Sequence, residues 1–324
     1  MPSRHETFDR SRLKLLPLAE REHLVTVEDL LAVGDCPVAF EDPALPAVAD
    51  AVAAAVGDGR SVLLMIGGHV VKQGLGRIVG QWARNGWVSC IAGNGACTIH
   101  DYELARIGAT SEAVAEQIKT GRFGLWQETG ELNAIVTAAA AEGLGYGEAV
   151  GRAISQGGLP HADASIYAAA WEAGVPATVH VGIGYDIVHE HPNFDAAAAG
   201  ACSYRDFLIY TRLVENLQGG VVLCFGSAVM GPEVYLKALS MARNAAGQEG
   251  REIRRFTSAV FDLQRLGGDL SAEAPKDSPE YYYRPYKTIL VRTVADGGQS
   301  HYIRGEHRAT IPALHRLLAE RLGG

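Results

Sequence analysis

Short apolar runs alternate with amphipathic stretches along most of this chain. Residues 61–66 form an uninterrupted apolar run that ends in Gly67-Gly68, the pattern of a strand buried on both faces. From His69 the period changes. Val71, Leu75, Ile78 and Trp82 fall on one face of a helix, and Asn85-Gly86 closes it. Residues 87–92 read as the next strand and Gly93-Asn94-Gly95 as the next turn, completing a βαβ unit. The same reading predicts strands over 176–181, 221–225, 256–261 and 288–292. Helices are expected over 45–56, 164–173, 204–217, 232–246 and 308–322, with several short helices between Gly108 and Gly158.

Apolar strands alternating with helices imply an α/β fold, a mostly parallel sheet with helices on both faces. Residues 1–45 are charged, irregular and proline-bearing, and read as an N-terminal arm wrapping a core or a neighbouring subunit. Residues 46–324 read as a single α/β domain, without an internal repeat or linker.

Composition narrows the functions open to such a fold. With 48% hydrophobic residues the chain can bury a large core. A net charge of -8, from 29 basic and 37 acidic residues, disfavours nucleic-acid binding. The 5 cysteines include no CxxC pair, and Cys90, Cys97 and Cys224 lie in or beside apolar runs. They read as reduced, buried thiols of a cytoplasmic protein. The first residues lack the apolar core of a signal peptide, and no run is long enough to span a membrane.

In open α/β sheets, ligands bind beyond the carboxyl ends of the strands. Here each such end carries glycine and polar residues: MIGGHVVKQGLG, AGNGACTIHDYELA, VGIGYDIVHEHPNFD and FGSAVMGPEVYLKA. Glycine lets a ligand approach the backbone, and four such ends along one edge suggest a nucleotide crevice. Gly67, Gly68, His69, Gly93, Asn94, Gly95, Gly182, Gly184, Gly226 and Ser227 are the candidate cofactor contacts. Plain structural turns would look the same one at a time, and Gly182-Ile183-Gly184 lacks the full GxGxxG spacing.

His180, His189 and His191 lie close to Asp186 in a loop that Pro192 ends. They read as substrate contacts, proton shuttles or loop hydrogen-bond partners. A metal-assisted hydrolase built on His180, Asp186, His189 and His191 is one alternative, and a non-catalytic nucleotide-binding scaffold is another. Asp101 and Glu103, after His100, are either helix-terminal charges or holders of a cationic substrate. Lys72, Lys237 and Lys287 are candidate imine-forming lysines. Most helical lysines are merely solvated.

The ordered segments resemble deoxyhypusine synthase over most of the chain. GGHVVKQGLGRIVGQWARNGWVSCIAGNGACTIHDYELA is similar to that family's glycine-bearing strand end, helix, and strand with a small-residue turn and acidic residues. DASIYAAAWEAGVPATVHVGIGYDI, DFLIYTRLVENLQGGVVLCFGSAV and HYIRGEHRATIPALHRLLAE resemble its later segments, the last of them a strand, a turn and the closing helix. AGNGACTIHDYELARIGATS is also similar to the NAD-binding domain of bacterial and archaeal ornithine cyclodeaminases of the same superfamily. The resemblance implies a Rossmann-like sheet and a homotetramer with sites between subunits. It also implies NAD as an internal redox agent that oxidises an amine to an imine and later returns the hydride. The family's catalytic lysine lies in a Trp-Gly-Lys run, after a Gly-Ser-Asp-Ser-Gly loop. This chain has neither, although Lys287 in YYYRPYKTILVRT occupies a comparable order. Gly-Ile-Gly-Tyr also replaces the family's Thr-Asp-Gly-Ser turn. These departures imply a related group with another small cationic amine or amino acid as substrate. In that reading Asp101, Glu103, Asp163, Asp186 and Glu233 hold the substrate. Lys72, His100, His189, His191 and Lys287 supply proton transfer or imine chemistry, and no metal takes part.

Overall fold

The computed structural model describes residues 3–323. Strands β1 (Val62–Ile66), β2 (Cys90–Gly93), β3 (Ala177–Val179), β4 (Val221–Phe225), β5 (Thr257–Asp262) and β6 (Gln299–Arg304) form one sheet. Their order is β3-β2-β1-β4-β5-β6, and every neighbouring pair is parallel. The chain starts in the middle of the sheet, moves to one edge, then crosses back and builds the other half. That is the strand order of the dinucleotide-binding Rossmann fold, with its reversal between β1 and β4.

Helices cover both faces. They are α1 (Leu45–Gly57), α2 (Gly76–Arg84), α3 (Gly95–Ile107), α4 (Glu131–Glu142), α5 (Tyr146–Gln156), α6 (Ile166–Ala173), α7 (Ala196–Val214), α8 (Met230–Gln248) and α9 (His307–Leu322). Successive strand residues point to opposite faces, and the two cores divide accordingly. Val62, Leu64, Ile66, Leu223 and Phe225 pack with α1 to α6 and α9. Leu63, Met65, Val222 and Cys224 pack with α8 and the later part of α7. This is why the strands read as continuous apolar runs. Capping residues then set the helix starts: Asn94 accepts from the Cys97 amide, Ser165 from that of Ala168, and Asp195 from those of Ala197 and Ala198.

Several elements differ from the sequence reading. The helix expected from His69 is two pieces, a turn over Gly68–Lys72 and then α2, separated at Gly74 with φ +80°. Val71, Leu75, Ile78 and Trp82 are nonetheless all buried. Helix α7 starts at Ala196, ahead of the expected Tyr204, through an alanine-rich stretch with little pattern. Residues 288–292 are not a strand. They end a wide-turned helix, Pro285–Arg292, whose Ile289 and Leu290 enter the second core. A five-residue apolar run does not by itself distinguish the two.

Within the described residues, the first 40 or so form no helix longer than one turn. The segment lies on its own chain: Val25–Thr26 pairs antiparallel with Ala109–Thr110, and Leu16 bridges to Trp126. Cys90, Cys97, Cys202 and Cys224 are buried free thiols, and Cys36 is exposed. Among the described residues, no helix is long and apolar enough to cross a membrane.

Candidate functional site

The carboxyl ends of β1 and β4 meet at the order reversal with no side chain between them. The Gly67 amide donates to the Phe225 carbonyl at 3.0 Å. A Cβ on Gly67 would stand 2.2 Å from the Gly226 carbonyl oxygen, so glycine is required there. Gly226 has φ +62°, and a Cβ on it would lie 2.6 Å from Nε2 of His307, the first residue of α9. Ser227 accepts from the Gly231 amide at 2.9 Å, which ties the β4 turn to the start of α8.

Beside this reversal lies a pocket of about 240 Å³, lined among others by Arg21, Lys72, His100, Glu103, Ser111, Glu112, Tyr185 and Asp186. Its floor is a buried network. Arg21 donates to both oxygens of Glu103 at 2.9 and 2.7 Å, and the hydroxyls of Thr129 and Thr110 donate to Glu103 at 2.6 and 2.7 Å. These bonds and the Arg21 charge hold the Glu103 carboxylate below its usual range against the opposing effect of burial.

The network fixes a tautomer. Thr110 Oγ1 lies 2.9 Å from His100 Nδ1, and its single hydrogen is already given to Glu103. His100 Nδ1 must therefore carry the proton and donate, which leaves Nε2 with a free lone pair. Burial lowers His100 to about 4, so the ring is neutral at pH 7.

Asp186 packs against the start of α3, where a Cβ on Gly95 would come within 2.1 Å of its Oδ2. Burial raises this carboxyl to about 6. Glu112 accepts from the Gly124 amide and the Trp126 indole at 3.2 and 3.1 Å and is likewise raised by burial. Ser111, between Thr110 and Glu112, has φ +67°. Such backbone strain in a non-glycine residue gathers at functional sites.

The structure thus brings Lys72, His100, Glu103 and Asp186 to one pocket, with Gly67, Gly68, His69, Gly226 and Ser227 at the adjoining reversal. Asn94 is engaged in capping α3. A Cβ on Gly93 would meet the Tyr167 hydroxyl at 2.6 Å, one on Gly182 would meet the Tyr185 ring, and one on Gly184 would meet open space.

Other candidates stand elsewhere. Asp101 is fully buried and accepts from the Ser165 hydroxyl and the Ile166 amide, which commits it to the start of α6. Asp163 pairs with Arg77 on the surface. Glu233 pairs with Lys237 and Arg284. The Lys287 ammonium sits 3.2 Å from the Tyr281 ring centroid, in the segment between β5 and β6. His180 bonds Thr178 at 3.0 Å, and His191 bonds the Gly124 carbonyl at 2.8 Å. His189 accepts from the amides of Gly184 and Asp186. His180 and His189 are thus held by their own strand and loop, and His191 by the segment around Gly124. Among the described residues, no three His, Cys, Asp or Glu side chains are grouped as a metal would need.

Sequence reasoning missed Arg21, Ser111, Glu112, Tyr185 and His307. Arg21 lies in the arm, far from any motif. His307, though, ends the run Arg304-Gly305-Glu306-His307, the same glycine-plus-polar ending that marked the other strands.

No family model matches the chain, and no curated protein matches it. Solved structures do. A conserved LOR/SDH-type protein from Methanococcus maripaludis S2 superposes with a TM-score of 0.50 at 14% identity, over 89% of this chain and 72% of that one. ArgZ, an arginine dihydrolase of the cyanobacterial ornithine-ammonia cycle, superposes with a TM-score of 0.50 at 14% identity, over 86% of this chain. A variant of AgrE in complex with L-arginine gives 0.50 at 12% identity, over 89% of this chain. This chain spans only 32% and 35% of those two proteins. At these identities the likeness establishes the Rossmann-like α/β fold that the chain shares with them.

Proposed function

We infer that this protein is an NAD-dependent enzyme acting on a carbon–nitrogen bond of an amino acid or related amine. The observation that carries the reading is the glycine-to-glycine contact at the β1/β4 reversal, directly beside a pocket with an oriented neutral histidine. The residues there fit a dinucleotide. Gly67 and Gly226 leave the crevice free of side chains, and His69 follows at once with a ring nitrogen that can donate to a phosphate oxygen. The end of β2, where an acidic residue commonly meets a ribose, carries Asn94 instead. The sequence resemblance to NAD-using proteins supports the same cofactor, and AgrE itself forms a complex with ornithine and NAD+.

When bound, NAD would supply hydride acceptance and return. The rest falls to this chain. Asp186 and Glu112 would hold a cationic nitrogen, and Lys72 would pair with a carboxylate. His100 Nε2 would take a proton from the reacting amine, held in its tautomer by Thr110 and Glu103 as a base is held by an orienting group. Gly67, Gly68, His69, Gly226 and Ser227 are the proposed cofactor contacts. A homo-oligomer, as the resemblance implies, and a single domain behind an N-terminal arm complete the proposal.

The test is turnover. Purified protein with NAD+ is offered ornithine, arginine and polyamines in turn, and products are read by mass spectrometry. Conversion that is lost in His100→Ala supports the reading. NAD+ binding without conversion of any of these leaves the scaffold alternative standing.

A further inference from the structure

Among the strand-end groups, the His307 ring stands apart because neither of its nitrogens has a hydrogen-bond partner among the described residues. It is 7% exposed, yet Nδ1 is buried without a hydrogen-bond partner. The ring meets the Phe225 ring edge-on, with centroids 6.0 Å apart. Its Nε2 faces the position that a Gly226 Cβ would occupy. Burial lowers the imidazole to about 4, so it is neutral at pH 7 and has one proton for two nitrogens. A buried donor without a partner is rarer than a buried acceptor without one. The proton therefore belongs on Nε2, the nitrogen at the reversal.

We propose that His307 is a ligand-binding residue whose Nε2–H donates a hydrogen bond to a dinucleotide at the β1/β4 reversal. This rests on the dinucleotide reading above and adds to it a contact from the far half of the sheet, supplied by the first turn of α9. It also gives Gly226 a second role, since any side chain there would strike the donor. A merely structural histidine would be expected to use at least one of its nitrogens within the protein.

The experiment uses the full chain and NAD+ as the probe. Affinity is measured by calorimetry for the wild type, His307→Ala and His307→Gln. Histidine-ring NMR of the wild type is recorded with and without NAD+. The expected result is a roughly threefold to tenfold loss of affinity in His307→Ala, the range for one hydrogen bond, with partial recovery in His307→Gln. The His307 ring signals should move when NAD+ is added. Equal binding by wild type and His307→Ala, with unmoved ring signals, would overturn the assignment and leave the dinucleotide reading intact. No binding by the wild type would overturn both. The ring signals keep the test decisive if a variant fails to fold.

Discussion

The chemistry of the pocket turns on one hydroxyl. Thr110 gives its hydrogen to Glu103 and receives one from His100, so a buried carboxylate sets a histidine tautomer at second hand. In Thr110→Val, His100 loses that acceptor. Histidine-ring NMR should then show it shifting from the Nδ1–H toward the Nε2–H form. An unchanged tautomer would mean that the network does not govern the ring. Asp206 makes a different prediction. It accepts from the amides of Gly147 and Val179 at 2.9 and 2.7 Å, and burial raises it from 3.8 to about 7. A carboxyl raised on folding favours the folded state below its unfolded pKa, and that contribution is lost as pH rises through the folded value. Wild type should therefore lose stability relative to Asp206→Asn between about pH 4 and pH 8, by on the order of 4 kcal/mol. Urea unfolding of both proteins across that range checks it, and a pH-independent difference would contradict it.

At the scale of elements, the strand pair and bridge of the N-terminal arm are reinforced by a buried ion pair. The side chains of Arg21 and Glu103 are each only 1% exposed. Arg21→Met strands a buried carboxylate and should cost about 3–5 kcal/mol. It should also speed proteolysis in the arm before any cut in the sheet. Simultaneous cleavage throughout would show that the arm is not separately held. The arm also shows where sequence reading stopped. Charge and proline marked the segment as irregular, but the burial of Arg21 depends on a partner far along the chain. Strands β1 and β4 were legible because burial on both faces makes them apolar throughout. Strand β6, at the sheet edge, is mostly polar and half-exposed, so periodicity missed it and only the resemblance of HYIR marked it. The error over residues 288–292 has the opposite cause, a helix buried deeply enough to read like a strand.

For the whole molecule, the strand order joins the two halves of the argument. Four glycine-bearing ends were legible as a list, but sequence could not say that those of β1 and β4 are neighbours. Parallel pairing brings Ile66 beside Phe225, which makes the Gly67–Gly226 contact. The pocket was only half legible. His100, Glu103 and Asp186 stood beside recognised turns, whereas Ser111 and Glu112 arrive through a segment of weak pattern. The most direct measurement is native mass spectrometry of freshly purified protein, joined to thermal unfolding with and without added NAD+. The account predicts a bound dinucleotide, or stabilisation of about 2.7 kcal/mol at a hundredfold excess of NAD+ over its dissociation constant. Protein that carries no dinucleotide and whose unfolding is unmoved by NAD+ would contradict it.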